Sequence, residues 1–161
     1  MPAMNVRMTL LMGALSCVAA AGCSRPSAEV PAARRHEHHP PHGGTAVVLG
    51  SEQYHLECVL DAASGRLQAW VLDGEMDGFV RVAARSIELQ VRLRGTPHEL
   101  VLDAVADPLT GETVGDTSAF AGQADWLRGA SGFDATLRAI TVKGTPFADV
   151  AFNFPKGNDP D

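Results

Sequence analysis

The feature that most constrains the fold of this chain is a two-residue alternation of apolar and polar side chains that begins near Thr45. It is clearest over residues 86–94, where the apolar set is Ile87, Leu89, Val91 and Leu93 and the polar set is Glu88, Gln90, Arg92 and Arg94. Such a period places all the apolar side chains on one face of a β-strand. A helix would need an apolar period near 3.6 residues, which this segment lacks.

The same alternation predicts a strand over residues 54–60. One face carries Tyr54, Leu56, Cys58 and Leu60, and the other carries His55, Glu57 and Val59. Further strands are predicted at residues 67–73, 98–104, 135–142 and 148–154, with turn-forming Gly, Pro, Asp and Ser between them.

Only residues 122–130 can form a short helical turn, and no helix is long enough to connect parallel strands. We therefore predict an all-β, antiparallel fold of about 7–9 short strands with one short helical turn. A β-sandwich, immunoglobulin-like or similar, is the architecture expected, with a barrel as the other arrangement that this pattern allows.

The N-terminus has the layout of a secretory signal. Arg7 precedes an apolar run over residues 8–21, which is shorter than the roughly 20 residues that a membrane span requires. The run ends in Ala20-Ala21-Gly22-Cys23, which resembles a bacterial lipobox; a boundary at Cys17 would shorten the apolar run. We expect residues 1–22 to be removed and Cys23 to be lipidated, which places the protein in the bacterial cell envelope, anchored in the membrane and facing the periplasm.

Charge and length restrict the partners and the domain organisation of the chain that follows the signal. The formal charge of −6 becomes −7 when Arg7 leaves with the signal, which argues against a nucleic-acid partner. Residues 23–44 are rich in Pro, Ala and Gly and are expected to form a flexible, His-rich tether. Residues 45–157 are enough for one β-sandwich domain, and residues 158–161 are expected to form a disordered tail.

The densest chemical signal is the sequence His36-Glu-His38-His39-Pro-Pro-His42, which holds four of the six histidines of the chain. Imidazole is the commonest protein ligand of zinc and copper, so this tract (residues 36–42) predicts a metal site with His36, His38, His39 and His42 as ligands. The alternative is a solvated tether with no ligand.

His55 and Glu57 are two further candidate ligands. They stand at positions i and i+2 of one predicted strand, so their side chains emerge on the same face, about 7 Å apart along the chain. The alternative is that they belong to an ordinary polar outer face. The acidic stretch at residues 73–78 lacks the glutamate that a calcium loop needs at position twelve, where Ala84 stands, and is interpreted as a hairpin loop.

Other chemistry-bearing residues have structural interpretations. Cys58 shares its face with apolar side chains and is expected to be a buried, inert thiol. His98 follows Pro97 in a turn and is expected to be exposed, whereas large aromatic side chains are expected to fill the core: Trp70, Trp126, Phe120 and Phe133. No catalytic motif is found, and the chain is predicted not to be an enzyme.

Two parts of the chain resemble a known group of proteins. His42-Gly43-Gly44, Tyr54-His55-Leu56-Glu57 and the strand at residues 67–73 resemble small His-rich periplasmic lipoproteins and domains of heavy-metal efflux adaptor proteins, as do Asp125-Trp126-Leu127 and Phe152-Asn153-Phe154-Pro155. The resemblance implies a β-sandwich that handles copper or zinc beside envelope metal-efflux components. The alternative function is a structural or protein-interaction module with no metal role.

Overall fold

A computed structural model describes residues 39–159 of the chain. They lie within one compact unit, His36–Asp161; the other unit, Met1–Arg35, lies outside the described residues, and with it the predicted signal peptide and Cys23. Among residues 39–159, no helix has the length and apolar character needed to cross a membrane.

The described chain is built from eight antiparallel strands and one short 3₁₀ turn, which confirms the all-β prediction. The strands are β1 Thr45–Leu49, β2 Tyr54–Asp61, β3 Arg66–Asp73, β4 Ser86–Leu93, β5 Thr96–Ala104, β6 Ala119–Gln123, β7 Phe133–Val142 and β8 Thr145–Phe154, and the turn is Asp125–Leu127. All eight lie in one sheet with the order β1-β2-β3-β6-β5-β4-β7-β8. The two edge strands, β1 and β8, come into contact, so the sheet curves into a nearly closed barrel.

The barrel interior is filled by the alternating apolar side chains that the sequence pattern predicts. In β4, Ile87, Leu89 and Val91 are buried, and the residues between them are exposed. Side chains from the other strands meet them in one core, including Leu56, Cys58, Leu67, Val71, Leu102, Phe120, Leu137 and Phe152. Burial of this apolar surface is the main stabilising contribution to such a fold.

β2 departs from the expected one-sided strand. Leu56 and Cys58 point into the barrel as predicted, but His55 and Glu57, on the opposite face, are also fully buried. The interpretation of that face as an ordinary polar surface is therefore wrong. Something outside the barrel must cover it, and this outer cover forms the candidate site described next.

Two terminal boundaries also differ from expectation. Gly44, expected in the flexible tether, donates a backbone hydrogen bond to the Glu57 carboxylate. Asn158, expected in a disordered tail, bonds through its side-chain amide to the backbone of Val48 in β1. In both cases hydrogen bonds to a polar group of the sheet hold a chain segment that has no apolar periodicity of its own.

Candidate functional site: a histidine held by a buried glutamate

The last residues of the predicted tether fold against the outer face of β2. We call residues 39–44 the N-terminal arm. A turn closes it, with the Gly43 N–H donating to the Pro40 carbonyl at 2.9 Å, and Gly43 adopts a φ of +68°, which glycine tolerates without strain. Gly44 lies so close to β2 that a Cβ there would come within 2.6 Å of the Cys58 carbonyl oxygen.

The arm is held mainly by Glu57, whose side chain has no solvent exposure. Oε1 accepts hydrogen bonds from the backbone N–H groups of His42 at 2.8 Å and Gly44 at 2.9 Å. Oε2 lies 2.8 Å from Nδ1 of the His42 ring. A buried carboxylate needs such partners, because an unpaired charge in the protein interior is costly. Here the arm supplies all three donors.

The His42 ring is also fixed by aromatic neighbours. It stacks on the Trp70 indole at a centroid distance of 3.8 Å and an interplanar angle of 15°, and Phe79 lies 5.7 Å away in a tilted orientation. Trp70 stands directly opposite Glu57 in the β2–β3 register, so the pair forms the floor beneath the ring. The plane of the ring and its Nδ1 hydrogen bond are therefore both determined by the sheet.

This arrangement determines which ring nitrogen carries the proton. A carboxylate that already accepts two backbone N–H bonds acts as an acceptor toward Nδ1, and we assign the proton of neutral His42 to Nδ1 on that basis. Nε2 then carries the lone pair. Within residues 39–159 no hydrogen bond is made to Nε2, and the side chain is 36% exposed.

His55 lies on the same strand face as Glu57 but serves a different contact. Its Nδ1 is 3.2 Å from the carbonyl oxygen of Asp73, at the start of the loop over residues 73–78. Asp73 organises that loop: its Oδ1 accepts from the Asp77 N–H at 3.0 Å, and its own N–H donates to the Gly78 carbonyl. The acidic stretch is thus a hydrogen-bonded hairpin loop, which adds to the cover over β2.

The six predicted ligands are only partly brought together. His42 and Glu57 are in direct contact, His55 bonds to the loop, and His39 is exposed on the arm. His36 and His38 lie outside the described residues, and so does the predicted lipidation site, Cys23. No group of three or more His, Cys, Asp or Glu side chains in metal-binding geometry occurs in the part of the chain that the structure describes.

Cys58 points away from this site into the barrel and is buried there as a free thiol, as the alternation predicts. Burial raises the pKa of its thiol to about 12, and the neighbouring Glu57 charge adds to the increase. A thiol in this state is neither a nucleophile nor a ready metal ligand at neutral pH.

A second histidine–tryptophan stack lies elsewhere on the barrel. His98, expected to be exposed, is half-buried and stacks on Trp126 at 4.2 Å and 11°. It lines a groove of about 690 Å³ with Arg92, Glu99 and Asp134. Arg92 donates to the Gly95 carbonyl at 3.3 Å, Glu99 lies 4.0 Å from the Arg138 guanidinium, and Asp134 accepts from the Asn153 amide at 2.8 Å. This groove contains none of the predicted metal ligands.

The expectation that Trp70 fills the core is wrong, because its side chain is half-buried on the outer face of β3. Sequence reasoning also missed that Trp70 and Phe79 are the aromatic neighbours of His42. Trp70 lies between the inward-facing residues Ala69 and Val71, so the alternation of β3 places it on the outer face. Pairing β2 with β3 through the turn at residues 62–65 would then have placed it opposite Glu57. Phe79 carries no such signal, because it meets β3 only through an isolated bridge to Leu72. No protein-family model, curated protein or solved structure matches this chain.

Proposed function

We propose that this protein is a non-enzymatic lipoprotein of the bacterial cell envelope that captures copper or zinc through the tract at residues 36–42, with His42 as its fixed ligand. The observation that carries the proposal is the buried Glu57 carboxylate, 2.8 Å from Nδ1 of His42. Histidines that bind metals commonly donate their second ring N–H to a carboxylate, which fixes the tautomer and makes the other nitrogen a better donor.

Glu57 has a more specific role in this proposal than that of a direct ligand. Both of its oxygens accept hydrogen bonds from the arm, and its side chain has no solvent exposure. It orients His42, and the imidazoles of His36, His38 and His39 complete the ligand set. Because Glu57 and Trp70 already hold His42, one ligand of the set is preorganised, and this lowers the entropic cost of capture.

Calorimetric titration with Cu(II) and Zn(II) tests the proposal. The chain from Ser24 to Asp161 is suitable, because it contains the compact unit His36–Asp161 and hence the whole described core. His42→Ala should lower the affinity at least tenfold. His98→Ala is the matched control, since it removes a histidine that also stacks on a tryptophan but has no carboxylate partner among residues 39–159. Equal, negligible heats for all three chains would refute the metal role.

Fluorescence offers an independent readout. Cu(II) bound at His42 lies close to the Trp70 indole, which stacks on that ring, whereas Trp126 stacks on His98. Because the chain has two tryptophans, Trp70→Phe and Trp126→Phe variants separate their emission. Cu(II) should quench the emission of the Trp126→Phe chain and leave that of the Trp70→Phe chain largely unchanged. The opposite pattern would place the metal elsewhere.

The lipid anchor is a separate part of the proposal. It is supported by Ala20-Ala21-Gly22-Cys23 at the end of a short apolar run. Expressed in full in a bacterium, the chain should incorporate radiolabelled palmitate and fractionate with membranes. Cys23→Ser should abolish the label, whereas Cys17→Ser should leave it. Labelling that depends on Cys17 instead would move the cleavage boundary.

A second candidate function, a protein-interaction module, is favoured by exposed apolar side chains. Leu109 is 97% exposed at the tip of a loop that buried Glu112 holds in place, and Val114 on the same loop is half exposed. A photo-crosslinking residue at position 109, used in intact cells, should form one defined adduct that chelator does not affect. Absence of any adduct would remove support for this candidate.

A further inference from the structure

The barrel is closed by the C-terminal tail segment, residues 155–158, rather than by its two edge strands. β1 and β8 run antiparallel and come into contact, but in the described chain no ladder joins them. The tail segment lies between the strands. On the β8 side, Gly157 and Asn153 exchange backbone hydrogen bonds of 2.6 Å and 3.0 Å. The tail segment is thus joined to β8 by a single antiparallel β-bridge.

On the β1 side the tail segment uses a side chain in place of its backbone. The Val48 N–H donates to Oδ1 of Asn158 at 2.7 Å, and Nδ2 of Asn158 donates to the Val48 carbonyl at 3.2 Å. The primary amide thus reproduces the donor and acceptor of a peptide group on a neighbouring strand. The Thr45 hydroxyl adds a bond to the Pro155 carbonyl at 3.2 Å.

Close contact with β1 also requires glycine at position 157. Its φ is +82°, and a Cβ there would collide with the Ala46 carbonyl oxygen. Ala46 and Val48 are the β1 residues whose backbone groups point away from β2, because backbone direction alternates along a strand. Gly157 packs against the Ala46 carbonyl and Asn158 bonds to Val48, so the outward edge of β1 is covered.

The covered edge is one that needs protection. β1 has the sequence Thr-Ala-Val-Val-Leu, which has no charge and no proline and is rich in β-branched residues. Unprotected edge strands of this composition pair readily with other strands, and proteins usually add lysine, proline or a covering segment. β1 has only the covering segment.

We propose that the tail segment is a detachable cap whose removal lets β1 pair with β1 of a second copy of this chain. The identical edge is the partner that fits, because an antiparallel pair of equal strands is two-fold symmetric. With Val47 at the centre, the outward groups of Ala46 and Val48 on one copy face those of Val48 and Ala46 on the other. The result is a dimer through a continuous sheet.

The test compares three variants of the chain from Ser24 to Asp161. Asn158→Ala removes the amide, Gly157→Ala displaces the tail segment from Ala46, and Lys156→Ala changes an exposed residue of the same segment and is the matched control. Sedimentation velocity over a range of concentrations measures association, and amide hydrogen exchange at low concentration measures protection of the Val48 N–H.

Asn158→Ala and Gly157→Ala should dimerise at concentrations where the parent chain and Lys156→Ala remain monomeric. At concentrations that keep every chain monomeric, exchange at Val48 should be roughly 5- to 30-fold faster in these two variants, the factor that corresponds to one or two lost bonds of ordinary strength. Near-UV circular dichroism should match the parent, which excludes global unfolding.

Unchanged exchange at Val48 in Asn158→Ala would overturn the cap. Faster exchange without a dimer at any concentration, or association that proceeds to large aggregates, would overturn the pairing with a second copy. A chain that ends at Phe154 is the severe version of the same change. If that chain does not fold, the two point variants still decide the question.

Discussion

Replacing Glu57 with glutamine separates the two roles of this residue, in holding the arm and in setting the His42 tautomer. The amide oxygen can still accept from the backbone N–H groups of His42 and Gly44. The amide nitrogen then faces Nδ1 of His42, where the carboxylate oxygen Oε2 lies 2.8 Å away in the parent chain. Because that nitrogen is a donor, the ring must accept at Nδ1 and carry its proton on Nε2. The proposed ligand atom is then blocked.

The expected magnitudes differ sharply for stability and for metal affinity. Three hydrogen bonds to a charged acceptor stabilise by about 1.5–3 kcal/mol each, against about 0.5–1.5 kcal/mol for neutral ones, so about 3–4 kcal/mol is lost. Removing a buried charge returns several kcal/mol of desolvation cost. The free energy of unfolding of Glu57→Gln should therefore change by less than about 2 kcal/mol. Metal affinity should fall roughly 10- to 100-fold, as it does when the hydrogen-bond partner of a ligating histidine is altered.

Urea denaturation measures the first quantity, Zn(II) calorimetry the second, and nitrogen-15 chemical shifts of the His42 ring report the tautomer. Glu112→Gln is the matched control. Glu112 is likewise buried and accepts from the Ser118 N–H at 2.9 Å and its hydroxyl at 2.7 Å, but none of the histidines within residues 39–159 bonds to it. Its replacement should leave Zn(II) affinity unchanged. An inverted His42 tautomer in Glu57→Gln combined with parental Zn(II) affinity would show that Nε2 is not a ligand.

Three further predictions follow from the same region and from the adjoining β2–β3 turn. Gly44→Ala should destabilise the fold by about 1–3 kcal/mol, the usual cost of overpacking, because its Cβ would meet the Cys58 carbonyl; equal urea midpoints would contradict the docked arm. The pKa of Cys58 is raised from 9.0 to about 12, so the folded state holds a proton that the unfolded state releases. Stability should therefore decline between pH 9 and pH 12, and Cys58→Ala should remove this dependence in alkaline denaturation curves. The Ser64 hydroxyl, and after it the Ala63 N–H, lower the pKa of exposed Asp61 from 3.8. The stability that these hydrogen bonds contribute is therefore present above pH 3.8 and is lost as the pH falls below it. Ser64→Ala should raise the pKa of Asp61 in an NMR titration, and an unchanged value would contradict that cause.

Local sequence pattern predicted the strands well where one face is apolar and the other polar. β4 alternates without interruption from Ile87 to Leu93, and its register is therefore determined by which face is buried. β6 was missed because Ala-Phe-Ala-Gly-Gln has a single large apolar side chain, Phe120, and a glycine. It is a strand because its backbone pairs with β3 and β5, a non-local cause that no five-residue pattern reveals.

Prediction of the site was limited for the same reason. Proximity of His42 and Glu57 was reachable from the sequence, because a strand and a turn between them bring the tract back to β2. The burial of His55 and Glu57 could not be predicted from the sequence, because it depends on the arm and on the loop at residues 73–78, neither of which has apolar periodicity. Hydrogen bonds to polar side chains hold the arm and the loop in place, and hydrogen-bond partners distant in sequence leave no periodic signal.

The docked arm lowers the entropic cost that a His-rich tether would meet on binding a metal ion. A free tract of four histidines has to order every residue between its ligands, at roughly 1–2 kcal/mol for each backbone unit. With His42 held by Glu57 and Trp70, one ligand is preorganised, and His39 lies only three residues from it. A metal ion bound at Nε2 of His42 would therefore meet the remaining imidazoles at high effective concentration. Detaching the arm should therefore lower the metal affinity even when all four histidines remain, and Gly44→Ala is the variant that tests this. Its Zn(II) affinity should fall toward that of a free peptide spanning residues 34–44.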